Sequence, residues 1–341
     1  MANNPHYDPS RSHHCPDGFR NPPGNPQWHR NSLSVAAAFA RFARDMWRLR
    51  HERSPFSDDH RLNTEQTLQG LENPSSKRTL TWLGHASFLL RLHGCHILTD
   101  PFLSDYASPA AKRLVPPALR AHQVPSLDLI LISHNHYDHL DRASLQILAS
   151  RFPNAQVLVP LGLGRLLKAC GFSRIHELDW YDSFHHGRIT VTATPALHMA
   201  RRGLTDMNQT LWCGFAIRDE IKDKDRHFEE LEEDRYWQCH FSGDTAQGPV
   251  FDEVGERLGP FDVAMVPIGA YEPRRLMHCV HATPEEALQI AGQLRARHAI
   301  PMHWGSIRLT TEPMDEPPRR FLAASSTIPR RLMAIGETIC L

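Results

Sequence analysis

The 341-residue chain contains no run of 18 apolar residues, so nothing in it is long and apolar enough to cross a bilayer as a helix. Its first residues lack the apolar core of a secretion signal. Seven cysteines are scattered without a CxxC pair, and an odd number leaves at least one without a partner, which fits a reducing compartment. An intracellular protein, cytosolic or peripheral on a membrane, is therefore expected, and Asn208-Gln209-Thr210 matches a glycosylation sequon by accident. Neither sign of charge is in excess: 38 Lys and Arg face 38 Asp and Glu. No basic field argues for a nucleic-acid partner. Internal repeats are absent too.

What the chain has in quantity is histidine, 23 in all. The densest group is Ser133-His134-Asn135-His136-Tyr137-Asp138-His139-Leu140. It follows Leu127–Ile132, an apolar run of strand length, so it should lie on the loop leaving the C-terminal end of a buried strand, where α/β sheets place their sites. His134 and His136 are one residue apart, and extended backbone projects both imidazoles to one side, where they can share an ion. Asp138 and His139 follow the turn and can reach a second ion. Three more candidates end similar strands: His198 after Ile189–Pro195, Asp244 after Cys239–Gly243, and His303 after Ala299–Met302. Each alone reads as an ordinary surface or core side chain. Together they repeat one strand-then-ligand arrangement and suffice for two coordination shells.

These motifs resemble the metallo-β-lactamase superfamily and, within it, the N-acyl-phosphatidylethanolamine-hydrolysing phospholipase D family. Similar segments extend over most of the chain: Gly18-Phe19-Arg20-Asn21-Pro22, Thr81-Trp82-Leu83-Gly84-His85-Ala86, Leu98-Thr99-Asp100-Pro101, Glu177-Leu178-Asp179-Trp180, Pro267–Arg274, His303-Trp304-Gly305 and Gly336-Glu337. The resemblance implies two zinc ions per chain. His134, His136 and His198 would hold one, Asp138, His139 and His303 the other, and Asp244 would bridge them. Nitrogen and carboxylate ligands without cysteine suit zinc, with iron or manganese left open. Asp100 is the carboxylate expected behind the ligands, accepting an imidazole N–H and fixing its tautomer; the plain alternative is a turn or helix cap. His281, rather than His278, matches a family histidine associated with the substrate phosphate, so Asp138, Asp244 and His281 are the expected catalytic residues.

Strand-like runs alternate with helical segments such as Arg142–Arg151 and Pro284–Arg297 from about Arg78 onward, which marks the class as α/β. The four-layer αββα sandwich is what the resemblance implies. Residues 78–341 are read as the catalytic domain and residues 1–77 as an N-terminal extension. Its first 31 residues, rich in Pro, Asn and His, should be mostly irregular and mobile at the extreme end. A helix near 33–50 follows, capped by Ser32 or Ser34. It sets Val35, Phe39, Phe42, Met46 and Leu49 on one stripe opposite Arg41, Arg44 and Arg48. Such a stripe can lie on an anionic membrane or pack on the protein itself, and both hold if the helix lines the mouth of a lipid-accepting cavity. Two departures from the family pattern stand out. The charged stretch 218–235 reads as an inserted, solvated loop with a short helical piece, and Ala246 occupies a position where the family has glycine.

The resulting expectation is a zinc-dependent phosphodiesterase of phospholipase D type, in which a metal-bridging hydroxide hydrolyses N-acyl-phosphatidylethanolamine to N-acylethanolamine and phosphatidic acid. A phospholipid substrate, peripheral membrane contact and a homodimer go with it. The alternatives are a related metal hydrolase of a soluble phosphodiester or lactone and, less favoured, a metal-bound scaffold without catalysis.

Overall fold

The computed structural model of the chain describes residues 4–27, 33–72, 77–109, 111–220 and 236–341. It begins with a hairpin of β1 (His14–Cys15) and β2 (Gly18–Phe19), then helices α1 (Leu33–Leu49) and α2 (Thr64–Glu72). Strands β3 (Arg78–Gly84), β4 (Ser87–Leu92) and β5 (Cys95–Thr99) form a meander, followed by a small hairpin of β6 (Tyr106–Ser108) and β7 (Ala111–Lys112). Next, β8 (Leu129–Leu131), β9 (Gln156–Pro160) and β10 (Ile175–Leu178) alternate with α3 (Arg142–Arg151) and α4 (Gly164–Ala169). The second half runs through β11 (Ser183–His186), β12 (Ile189–Thr194), β13 (Gly214–Glu220) and β14 (Tyr236–Phe241). Helix α5 (Val250–Leu258), β15 (Val263–Pro267), helices α6 (Arg274–Met277) and α7 (Pro284–Gln293), and β16 (His298–Met302) come after it. Helix α8 (Glu316–Ala323) and β17 (Thr338–Cys340) close the chain.

The larger sheets have seven strands in the order β10-β9-β8-β5-β4-β3-β17 and six in the order β11-β12-β13-β14-β15-β16. In both, antiparallel strands give way to parallel ones, which need a crossover on the sheet face. Helices α3 and α4 lie in the crossovers from β8 to β9 and from β9 to β10, and α5 and α7 in those from β14 to β15 and from β15 to β16. β8 and β15 are buried along their whole length, which accounts for their unbroken apolar sequences. A single core joins the sheets, from Leu80, Trp82 and Phe88 to Val191, Phe215 and Met265. This is the layered sandwich expected.

The local signals are physical ones. Helix α3 starts where Asp141 accepts the Ala143 amide hydrogen. Thr283 and Glu286 form a reciprocal capping box at the start of α7, with Pro284 in its first turn. That helix ends at Gln293 rather than the expected Arg297, because Arg295 takes a left-handed conformation, φ 57°. Residues 221–235 lie outside the described residues, so the expected helical piece there is outside them as well. The start of that charged stretch is not a solvated loop: Arg218, Asp219 and Glu220 extend β13 and pair with Gln238, Trp237 and Tyr236. Asp219 is fully buried because Arg78, Arg188 and His93 surround its carboxylate at 2.6–2.7 Å. Paired charges can be buried where a single one cannot.

The N-terminal segment is more ordered than its composition implies. Asn4 donates from its side chain to the carbonyls of Cys15 and Gly18, and Phe19 donates its amide to Asn208 O. Gly18 is required here, since a Cβ would meet Asn208 O at 2.2 Å. The expected mobile end, residues 1–3, and the cap position Ser32 fall outside the described residues. Along α1, Phe42, Met46 and Leu49 are half-buried while Phe39 and Trp47 are exposed. The helix runs beside α6 rather than sinking into the core.

Candidate metal centre

The C-terminal ends of β5, β8, β12, β14 and β16 bring Asp100, the His134–His139 loop, His198, Asp244 and His303 to one place. The Nε2 atoms of His134 and His198 lie 2.9 and 3.2 Å from His136 Nδ1. On the other side, His139 Nε2 and His303 Nε2 are each 3.1 Å from Asp244 Oδ2, and 3.5 and 3.4 Å from Asp138 Oδ2. Asp244 Oδ2 also lies 4.0 Å from His134 Nε2 and 3.9 Å from His198 Nε2. It therefore stands between the two groups. His303 has φ 62°, and a Cβ on Gly269 would meet its carbonyl at 2.1 Å, so the turn that presents it needs a bare neighbour.

Hydrogen bonds behind the rings set their tautomers. His139 donates from Nδ1 to Asp100 Oδ2 at 2.7 Å. Ser133 Oγ donates to the same carboxylate oxygen at 2.6 Å, which leaves that hydroxyl to accept from His134 Nδ1 at 2.8 Å. His198 donates from Nδ1 to Val280 O at 2.8 Å. In each ring the outer nitrogen is taken by this hydrogen bond, so Nε2 is the atom turned toward the centre. Asp100 is fully buried and also accepts the Ser133 amide, so it serves as an anchor behind both His134 and His139.

Among the described residues the inner atoms are left without hydrogen-bond partners: Asp244 Oδ1, His139 Nε2, both ring nitrogens of His303, and His281 Nδ1. Leaving such groups buried and unpaired costs about 1–3 kcal/mol each. A cation held at the centre would satisfy Asp244 Oδ1 and the Nε2 atoms of His139 and His303, and a nitrogen–carboxylate donor set fits a zinc-class metal. The charge pattern agrees. Burial, aided by neighbouring imidazoles, holds His134 and His198 well below the usual histidine range. Burial pulls His139 and His303 the same way, but the carboxylates of Asp244 and Asp138 outweigh it, pushing His139 well up and His303 to about 9. Burial would raise Asp138 and Asp244, yet the charge on His139, joined at Asp244 by that on His303, holds both well below the usual carboxylate range. In the metal-free chain protons on His139 and His303 thus balance the carboxylates, and a metal would displace them.

A model of the Beta-lactamase superfamily domain matches residues 96–304. The chain is 40% identical over 252 residues to the N-acyl-phosphatidylethanolamine-hydrolyzing phospholipase D 1 of Caenorhabditis elegans, a match spanning 70% of this chain and 67% of that one. The chain belongs to the N-acyl-phosphatidylethanolamine-hydrolysing phospholipase D family of the metallo-β-lactamase superfamily. It is also 32% identical over 232 residues to a UPF0173 metal-dependent hydrolase of Rubrobacter xylanophilus, across 67% of this chain and 81% of the relative. In fold it matches a possible metal-dependent hydrolase from Veillonella parvula with a TM-score of 0.60 at 15% identity, covering 78% of this chain and all of the other. It is thus a metal-dependent hydrolase.

Every expected ligand of this family member reaches the centre, and so does His281, whose Nδ1 is 4.0 Å from Asp244 Oδ2. Burial takes His281 down to about 4, so its ring is neutral at pH 7. His278 is exposed and turned to the Arg274 carbonyl. Ala246 is fully buried with an ordinary backbone, so the lost glycine costs the turn nothing visible. Sequence reasoning passed over His85. Its Nε2 is 2.9 Å from Asp138 Oδ2, its ring lies 4.1 Å from that of His303, and its carbonyl accepts the His303 amide hydrogen. The Gly84-His85-Ala86 motif was the available signal. Asn21, whose Oδ1 accepts the His198 amide at 3.2 Å, was another residue without an assigned task. From His136, His198 and His281 a cavity of about 280 Å³ opens, lined also by Phe39, Met199, Met207, Met277 and Val280, with Arg201 alongside.

Proposed function

We propose that this chain hydrolyses the phosphodiester of N-acyl-phosphatidylethanolamine, releasing N-acylethanolamine and phosphatidic acid, with two zinc ions per chain. In this reading residues 78–341 form the catalytic domain. His134, His136 and His198 would hold one metal, Asp138, His139 and His303 the other, and Asp244 would serve both. When bound, such a pair activates water near neutral pH and neutralises charge developing on phosphate oxygens. The chain's own residues do the rest. Asp100, through Ser133 and directly, keeps His134 and His139 in the tautomer that faces inward. His281, with no partner for Nδ1 among the described residues, is left to donate a hydrogen bond to a substrate oxygen. Arg201, on the cavity wall, supplies a cation near a phosphate held there.

The observation that carries the lipid assignment is the lining of that cavity. Flexible methionines and Phe39 of α1 surround the approach to the imidazoles, an adaptable apolar wall suited to acyl chains. Trp47, exposed on the same helix, and the arginines along it support contact of α1 with the surface of a membrane that delivers the substrate. No described helix is long and apolar enough to cross it. A homodimer belongs to the same reading, supported by family resemblance, and light scattering tests it: a monomer over a wide concentration range contradicts it.

The test of the reaction is hydrolysis of N-acyl-phosphatidylethanolamine in mixed micelles by protein of known metal content, with both products identified by mass spectrometry. The reading requires both products together and none with Asp244→Asn. Metal-loaded protein that leaves the lipid intact but cleaves soluble diesters or lactones overturns the lipid assignment.

A further inference from the structure

Among the described residues, one group of ligand-type side chains lies away from the metal centre: His13, His14 and Asp179, whose ligating atoms fall within 4.8 Å of one another. We propose that they form a third, structural site for a zinc-class divalent cation, which fastens the N-terminal hairpin to the body of the enzyme. His14 opens β1, and His13 lies in the turn before it. Asp179 follows β10, an edge strand of one sheet, and leads to β11, an edge strand of the other. Successive strand residues point to opposite faces, so two consecutive imidazoles reach one carboxylate only because the chain turns between them. Their rings are nearly perpendicular, 85°, at 4.5 Å.

All three residues are buried. His13 Nε2 lies 2.7 Å from Asp179 Oδ1, and its ring is stacked on Trp180 at 4.0 Å. His14 Nε2 is 3.2 Å from Asp179 Oδ2, yet makes no hydrogen bond among the described residues. Close in distance but misdirected is the arrangement of atoms aimed at a point between them rather than at each other. The same signature marks His139 and His303 against Asp244 in the metal centre. Two imidazoles and a carboxylate suit zinc, and a fourth position remains for water or the second carboxylate oxygen.

Three contacts must yield, the first being the hydrogen bond between His13 Nε2 and Asp179 Oδ1, which opens as the cation takes its place. The Asp8 amide donates to His14 Nδ1 at 3.1 Å, and coordination through Nε2 puts the ring's remaining proton on Nδ1, so that half-buried amide turns away toward solvent. Arg11 Nε, 3.8 Å from Asp179 Oδ2 on a side chain 43% exposed, withdraws. What the cation would secure is functional. The same segment carries Phe19, bonded to Asn208, and Asn21, which holds the backbone of His198.

The test is stoichiometry. Full-length protein is stripped with chelator, reloaded with Zn²⁺ and desalted, and zinc per chain is measured by mass spectrometry beside His14→Gln treated identically. The proposal expects three equivalents in the parent and a loss of one in the variant; equal zinc in both folded proteins overturns it. If His14→Gln does not fold, zinc-edge anomalous diffraction from parent crystals grown with Zn²⁺ decides. A peak about 2.0–2.2 Å from His13 Nε2, His14 Nε2 and an Asp179 oxygen is expected. Peaks at the metal centre and none at this cluster overturn the proposal.

Discussion

The two groups of imidazoles in the centre are built differently. His134, His136 and His198 form an all-nitrogen wall steadied by uncharged groups, the Ser133 hydroxyl and the Val280 carbonyl. His139 and His303 share their space with Asp138 and Asp244 and are steadied by Asp100 and His85. The first wall carries no charge of its own, whereas the second concentrates the charge of the whole centre. Disturbing the supports of the second should therefore cost more than disturbing those of the first.

The strongest test alters the carboxylate common to both groups or removes a ligand of the charged one. Asp244→Asn or His303→Ala should lower turnover by on the order of 1,000-fold or more, since metal activation is worth several kcal/mol. Circular dichroism should show the fold retained. Near-normal activity in either variant sinks the two-metal assignment. One step back from the ligands, Asp100→Asn and His85→Ala should each weaken metal affinity by roughly 10–100-fold. Asp100 stands behind both walls and His85 behind one. Zinc titration against a competing chelator should show Asp100→Asn weakening both equivalents of the centre and His85→Ala one. Equal effects on both equivalents from His85→Ala would erase the distinction.

Smaller effects sharpen the picture further out. His281→Ala should lower kcat by about 100-fold, the order found for losing one preorganised donor, with metal content unchanged. His278→Ala, exposed and turned away, should leave kcat as it is. The smallest effect is at the N-terminal hairpin. Burial raises Asp179, but His13, hydrogen-bonded to it, outweighs burial and holds the carboxyl below its usual range. A depressed carboxylate contributes stability above its unfolded pKa of about 3.9, lost as pH falls through the lower folded value. In chelator-treated protein, Asp179→Asn should thus lower the melting temperature near pH 6, and the gap to the parent should close on acidification below about pH 4. A gap that widens in acid would contradict the sign.

How much could be read from the sequence follows from how far apart the interacting residues lie. His134, His136, Asp138 and His139 were legible because one loop carries them, and His198, Asp244 and His303 because each ends an apolar strand. The strand alternation showed the α/β class, while the four layers came from family resemblance. His85 was harder, since its partner Asp138 is 53 residues away and a single histidine in a Gly-His-Ala turn has no periodicity to betray it. Asp219 looked solvated because its neighbours in sequence are charged; the groups that bury it, Arg78, His93 and Arg188, come from other strands and turns. The N-terminal segment looked irregular for the same reason, as its order rests on contacts to Asp179, His198 and Asn208.

The central claim is that the centre directs water at phosphorus rather than at an acyl carbonyl. Hydrolysis of N-acyl-phosphatidylethanolamine in ¹⁸O-water, followed by mass spectrometry of the products, tests it most directly. The account predicts one ¹⁸O in the phosphate of phosphatidic acid and unlabelled N-acylethanolamine. Label in N-acylethanolamine, or in a released fatty acid, would contradict it.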